Sequence, residues 1–289
     1  MGLGSLYASL PPADKCHFID GLGLLSEIGA DLPPRGLHPS LPAIEGGLRY
    51  VWAHRLRGFA VADLTSDAQA MNMYEMGDMA RQVLEEAAAL TPGDSAVHAF
   101  RIRTLTLVGG PDGMFEAMSR DLAATGEANV NAELVRLNYL SPKWHGSVGE
   151  MHALADAAIA NPPNAAFFAL KARAWIEEWL YETAMNDDEG AAKAMKARTE
   201  TGEFRQALAD LDDRFLEQLA AGPEMTPAEA HFARNHFAFL FAAFLDKARL
   251  TRHLAALKVP AATPWGYLAG KDVPGYIAGL RKACGLPRV

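Results

Sequence analysis

Two cysteines, Cys16 and Cys284, are all that this chain of 289 residues carries, and they stand near opposite ends with no C-x-x-C spacing. A disulfide framework and a four-thiolate zinc site are excluded. Two free thiols in a reducing cytoplasm are expected, a single bridge joining the ends being the other arrangement the count allows. Clustered positive charge is missing too. Lys and Arg number 27 against 35 Asp and Glu, a formal net charge of −8. Nucleic-acid partners need dense Lys and Arg to displace counterions from phosphate, and anionic membranes need the same, so neither partner is expected. Long apolar runs are also lacking. The longest, 238–245, falls far short of the roughly 20 residues that span a bilayer, and reads as a buried helix segment. The first residues, Met1-Gly2-Leu3-Gly4-Ser5-Leu6, show neither a secretory signal nor the myristoylation pattern, since Leu6 stands where Ser or Thr is required.

Runs of period-2 alternation are absent, which argues against a sheet. Glycine and proline are not scarce, but they crowd into the first fifty residues: Pro11-Pro12, Pro33-Pro34, Pro39, Pro42, Gly46-Gly47. That composition predicts an irregular N-terminal arm, residues 1–47, with one short helix near 14–28. Helical composition begins at 48–62 and continues with helices expected over 67–90, 95–108, 112–124, 128–140, 147–160, 164–183, 187–197, 203–221, 227–257 and 273–284. Ser66 or Asp67 can cap the helix at 67–90. Ser147-Val148-Gly149-Glu150 and Thr226-Pro227-Ala228-Glu229 each carry the capping-box pattern, the second with Pro at the first helical position.

Helix ends recur at Pro92, at Thr125-Gly126 and at Pro162, spacings of about 34 and 36 residues that match a helix–turn–helix solenoid. Ala80, Leu84, Ala87 and Pro92 fall at the second-helix and closing positions of a tetratricopeptide unit, and Leu154, Ala157 and Pro162 repeat three of them. Short side chains at such positions let neighbouring helices approach. The expected architecture is all-α: a degenerate tetratricopeptide-like array, a right-handed α-solenoid, over 48–260, with the arm before it and a C-terminal tail, 261–289, bearing a short helix.

From Trp52 to about Leu180 the chain resembles a family of bacterial proteins with a domain of unknown function. That family joins an Arg-Gly-containing helix, a tetratricopeptide-like pair and a loop reading Pro-Lys/Arg-Trp-Gly-Gly-Ser before a helix with Met. Here the matching residues are Trp52, Arg55, Arg57-Gly58, the unit closing at Pro92, and Pro142-Lys143-Trp144-His145-Gly146-Ser147 with Met151. His145 replaces the first glycine of the loop. The resemblance implies the helical fold and supplies no activity.

The rigid, aromatic loop at 141–147 is the natural candidate site. Trp144 can stack on a ligand, or it can plug a gap between helix pairs, with Gly146 making the turn; the plug is the expected role. His145 reads as a solvent-facing loop histidine. Trp144, His145, Trp52 and Arg55 are the candidate binding or structural residues. Other chemistry is weakly written. His231 and His236 lie about 140° apart on a helix, the wrong spacing for zinc. Asp212-Asp213 with Glu217 imitates the acidic motif of helical terpene cyclases, yet the 72 residues beyond Glu217 hold no second metal motif. Those acids are expected on the solvated side of a stripe of Leu208, Leu211, Phe215 and Leu219. Asn186-Asp187-Asp188-Glu189-Gly190 lacks the alternating oxygens of a calcium loop and reads as a helix start. Gly109-Gly110-Pro111-Asp112-Gly113 has no Lys-Ser/Thr to hold phosphate, and no nucleophile motif is present. Phe168, Ala172, Trp175 and Trp179, like Phe237, Leu240, Phe241 and Phe244, form helical core stripes, and 232–245 is apolar nearly all round. Such a helix is either central or half of an oligomer contact.

No metal or cofactor is expected, and no catalytic residue is assignable. The expected function is a non-catalytic, cytoplasmic binding or scaffold module that holds a protein or peptide on a concave helical surface, with a homo-oligomer compatible with the same composition. The competing expectation is an enzyme or small-molecule binder whose pocket lies between the N-terminal arm and the helical body.

Overall fold

The hydroxyl of Ser66 accepts from the backbone N–H of Gln69, and the Gln69 side chain returns a bond to the Ser66 backbone, so the longest helix of the chain starts where the sequence writes its cap. The computed structural model describes residues 2–58 and 65–287. Among the described residues there are fifteen α-helices and no strand. The chain divides into two units, Met1–Tyr139 and Leu140–Val289.

The first unit contains α1 (Leu3–Ala8), α2 (Pro12–Leu25), α3 (Leu41–Arg57), α4 (Asp67–Leu90), α5 (Ser95–Val108), α6 (Met114–Ala124) and α7 (Val130–Tyr139). The irregular arm expected over 1–47 is instead largely helical, and position 47 falls inside α3. The prolines that suggested disorder sit in first turns, Pro12 in α2 and Pro42 in α3, where no intrahelical N–H is lost. Gly46 marks close packing rather than a break: a Cβ there would come within 2.7 Å of Leu84 Cγ on α4. The helix expected at 48–62 begins seven residues early as α3, and residues 59–62 of that expectation lie outside the described residues.

Polar side chains tie α2 into this unit. Asn129 accepts from the backbone N–H groups of Asn131 and Ala132 at the start of α7, and its amide donates to Ser95 Oγ (3.0 Å) and to the Pro12 carbonyl (3.2 Å). Asn131 Nδ2 donates to the Ala13 carbonyl at 3.0 Å. Lys15 pairs with Asp94 at 3.1 Å, and Arg103 on α5 with Asp20 at 2.8 Å. Ala13, Cys16 and Ile19 are buried beneath these bonds.

The second unit contains α8 (Val148–Ala160), α9 (Phe168–Leu180), α10 (Glu189–Thr199), α11 (Gly202–Ala221), α12 (Pro227–Ala243), α13 (Lys247–Ala256), α14 (Ala262–Ala269) and α15 (Val273–Ala283). Helix α12 is central: Phe232, Phe237, Phe239, Leu240 and Phe241 are all buried, and it packs on α9, α13 and α14. Each such phenylalanine contributes about 1.5–3 kcal/mol on burial. The tail folds against it, with Trp265 of α14 fully buried, edge-on to Phe239, its indole N–H donating to Asn235 Oδ1 at 2.8 Å.

The single helix expected over 227–257 is broken in two. Asp246 caps α13 by accepting from the Arg249 N–H, and Leu245 before it takes a left-handed conformation, φ 62°, with 85% of its surface exposed. The Asp246 N–H bonds back to the Phe241 carbonyl at 3.0 Å, which closes α12 in the Schellman manner. The calcium-like stretch is a capped helix start: Asp188 accepts from the N–H groups of Gly190 and Ala191 and begins α10.

Ala80, Leu84 and Ala87 are fully buried. In α8 the buried residues are Met151, Ala155 and Ile159, one step on from the repeat register, while Leu154 is half-buried and Ala157 exposed.

Candidate functional site

The four residues singled out in the sequence fall in different units, Trp52 and Arg55 in the first, Trp144 and His145 in the second. Trp52 is 1% exposed on α3, and its indole N–H donates to Ser26 Oγ at 3.0 Å. Arg55, one turn on, donates to the carbonyls of Gly23 (2.8 Å) and Ser26 (2.6 Å). A guanidinium there satisfies the orphan carbonyls at the end of α2 and complements its dipole. Both residues fasten α2 to α3.

The loop before α8 is a joint, but not through its tryptophan. Trp144 is 42% exposed, so it does not plug a gap between helix pairs. Lys143 turns inward instead, and its ammonium meets Glu177 on α9 at 2.5 Å. With Lys143 drawn to a buried carboxylate, the adjacent indole is left toward solvent. Gly146 is fixed by close approach, since a Cβ there would lie 2.3 Å from the Leu140 carbonyl oxygen. Ser147 accepts from the Glu150 N–H and begins α8. His145 is exposed.

Besides Glu229 in the cap of α12, three buried carboxylates organise the second unit, none of them apparent from spacing alone. Glu177, 1% exposed, is bound by Lys143, by Arg173 one turn before it, and by the Tyr267 hydroxyl at 3.1 Å. Burial alone would push its carboxyl up; the Arg173 and Lys143 charges reverse this and hold it below the usual range. Beside it, Glu178 accepts from His152 Nε2 (2.9 Å) and from Arg198 (2.5 Å). Lys171 Nζ lies 3.0 Å from His152 Nδ1 on the other side of the ring. Those two bonds overcome the burial that would raise Glu178, and it too is held low.

Asp212 is fully buried, not on the solvated side of α11 as its pattern suggested. Arg249 draws it inward, at 2.6 Å from Oδ2, while also bonding the exposed Asp213 at 2.8 Å. His253 Nε2 lies 2.8 Å from Asp212 Oδ1. Burial holds His253 low against the pull of Asp212, and the ring lies stacked on Phe237 and Phe241. A buried Asp–His pair invites comparison with a catalytic triad. Here the second ring nitrogen faces Arg234 Nη1 at 3.2 Å, the place a serine or cysteine nucleophile would occupy. Arg249 between the two aspartates also takes the position a diphosphate-binding magnesium would need. Among the described residues no three His, Cys, Asp or Glu side chains converge to hold a metal ion.

His236 sits fully buried on α12, Nδ1 2.8 Å from the Phe232 carbonyl, Nε2 without a partner. Burial, then the Arg173 charge, push its pKa down to about 3. In the first unit, burial and the Arg103 and Arg57 charges bring His54 to about 4.

The open surface features are hollows. One, of about 470 Å³, lies beside α4 and is lined by Tyr74, Asp78, Arg81, Val108, Gly110 and Met114. The glycine-rich turn after α5, unsuited to phosphate, forms part of its wall. A smaller one, about 250 Å³, lies among Arg205, Phe244, Leu245 and Lys247. Met71 and Tyr74 on α4 are 62% and 51% exposed. No described helix is long and apolar enough to cross a membrane. Compared with known protein families, with curated proteins and with solved structures, the chain matches none of them. The family resemblance in the sequence therefore stands on its motifs alone.

Proposed function

We propose that this protein is a non-catalytic binding or scaffold module that holds a protein or peptide segment on its helical surface. The observation that carries this reading is the α4 face, where large apolar side chains stand exposed beside a hollow. The buried charges support it from the other side. A general acid or base at neutral pH needs a carboxyl raised or an imidazole poised near 7. Glu177, Glu178 and Asp212 are held low in closed ion pairs, and His236 and His253 are held neutral. The competing reading, an enzyme or small-molecule site between residues 1–47 and the body, has less support, because the polar groups there are spent on fastening α2.

The tetratricopeptide-like, right-handed array with a concave face is part of the same proposal, supported by the 34–36 spacing and the burial of Ala80, Leu84 and Ala87. So is a cytoplasmic setting, supported by two free cysteines. A peptide array spanning acidic, neutral and basic sequences tests the function. Saturable binding of a peptide class is expected; turnover of a small molecule with no peptide bound would overturn it.

A further inference from the structure

Asp67, Met71, Tyr74, Asp78, Arg81 and Glu85 follow one another on α4 by steps of four, three, four, three and four, which places them on one stripe of the helix. Two adjacent apolar members of the stripe, Met71 and Tyr74, stand between Asp67 on one side and Asp78, Arg81 and Glu85 on the other. Its apolar members, Met71 and Tyr74, are more than half exposed. Tyr74 is also a wall of the hollow of about 470 Å³, whose other apolar side chains are Val108, Pro111 and Met114. A flexible thioether beside a rigid aromatic ring suits a surface that adapts to different apolar side chains.

The charge around this surface is mostly negative. Helix α4 carries five carboxylates and a single arginine. That arginine, Arg81, is neutralised within the helix by Asp78 at 2.5 Å. Glu85 is taken by Arg101 and Glu86 by Arg35. No described cation pairs with Asp67 at the start of the stripe, with Glu75 beside Tyr74, or with Asp112 next to the Pro111 wall of the hollow. The rim is therefore acidic and the floor apolar.

We infer that this face of α4 and its hollow dock a basic, amphipathic segment of a partner protein. Such a segment sets a large apolar side chain against Tyr74, Val108 and Met114 and places Lys or Arg opposite Glu75 and Asp112. An amphipathic helix fits best, because its apolar residues recur at the same three- and four-residue steps as the stripe it meets. Opposite charge on the rim speeds the encounter and selects among partners, while the apolar anchor supplies most of the affinity. The inference rests on the binding-module reading and names the surface and partner chemistry for it.

The test uses the full chain and three fluorescent peptides of about 14 residues, roughly four helical turns. One is an amphipathic Leu–Lys helix, one its Leu–Glu counterpart, one a Ser–Lys peptide of equal charge. Anisotropy should show binding of the Leu–Lys peptide alone, weakened by added salt. Tyr74→Ala should raise its Kd about tenfold, and the pair Glu75→Lys with Asp112→Lys at least as much. All three positions are exposed, so circular dichroism should confirm an unchanged fold. Equal binding of the Ser–Lys peptide would reduce the surface to bare charge and overturn the inference. So would Leu–Lys binding indifferent to Tyr74→Ala, though binding at another face would leave the module reading standing. If the Leu–Lys peptide fails and the wider peptide array is also blank, both fall.

Discussion

Replacing His236 by leucine should remove a defined part of this protein's sensitivity to acid. His236 is fully buried, and its pKa of about 3 lies well below the roughly 6.5 of an unfolded histidine. Above pH 6.5 neither state carries the proton, and the shift costs nothing. As pH falls from 6.5 toward 3, the unfolded chain binds a proton that the folded chain refuses, so stability declines with pH over that window. At pH 5 the loss from this one ring is about 2 kcal/mol. The buried carboxylates work in a lower window. Their folded values are depressed, so their stabilisation is complete above an unfolded value of about 4 and disappears below it. A comparison of pH 8 with pH 5 therefore isolates the histidines. His236→Leu fills similar space and leaves no unpartnered Nε2, so urea melts followed by circular dichroism should show stability at pH 8 within about 1 kcal/mol of the parent. The drop between pH 8 and pH 5 should shrink by about 2 kcal/mol. An unchanged drop would refute the reasoning. His54 in the first unit, near 4, should give a second and separate part of the same acid loss.

Asp212→Ala should destabilise by about 1–3 kcal/mol in thermal melts, because it leaves the buried His253 Nε2 without a partner and takes from Arg249 the inner of its two aspartates, while Asp213→Ala on the exposed side of the same arginine should cost under about 1 kcal/mol. Leu245→Gly should raise stability by about 1 kcal/mol, since leucine gains little contact at 85% exposure while holding a left-handed backbone that glycine adopts freely. Trp144→Ala should change the melting temperature little, whereas Gly146→Ala, which pushes a Cβ against the Leu140 carbonyl, should cost more than about 1 kcal/mol. The reverse order would restore Trp144 as the plug of its loop.

Helix starts were legible because their signal is local: Ser66, Ser147, Asp188 and Thr226 each bond an amide two or three residues away, and each cap sits where the sequence writes it. The apolar character of α12 also translated directly into a central position. The break at Leu245 was missed because neither Gly nor Pro marks it, although Asp246 carried a readable cap. The N-terminal segment was misjudged because Gly and Pro were taken as breakers, when Pro12 and Pro42 open helices and Gly46 lets two of them touch. The charged clusters were the least legible. Glu177 meets Lys143 from 34 residues away and Tyr267 from 90, and Asp212 meets His253 from 41. No short pattern encodes such pairs. The nearest hint was Arg173 four residues before Glu177 on a helix otherwise rich in buried residues.

The bond from Asn131 to the Ala13 carbonyl joins residues 118 positions apart. During synthesis, α2 leaves the ribosome long before its clasp exists. At roughly 5–20 residues per second, the nascent segment waits between about 6 and 24 seconds for Asn129 and Asn131 to be made. Through that interval Ala13, Cys16 and Ile19 have no finished pocket to enter. Newly made chains thus pass through a stage when their first helices are open to chaperones and to one another, and the order of translation sets how long it lasts.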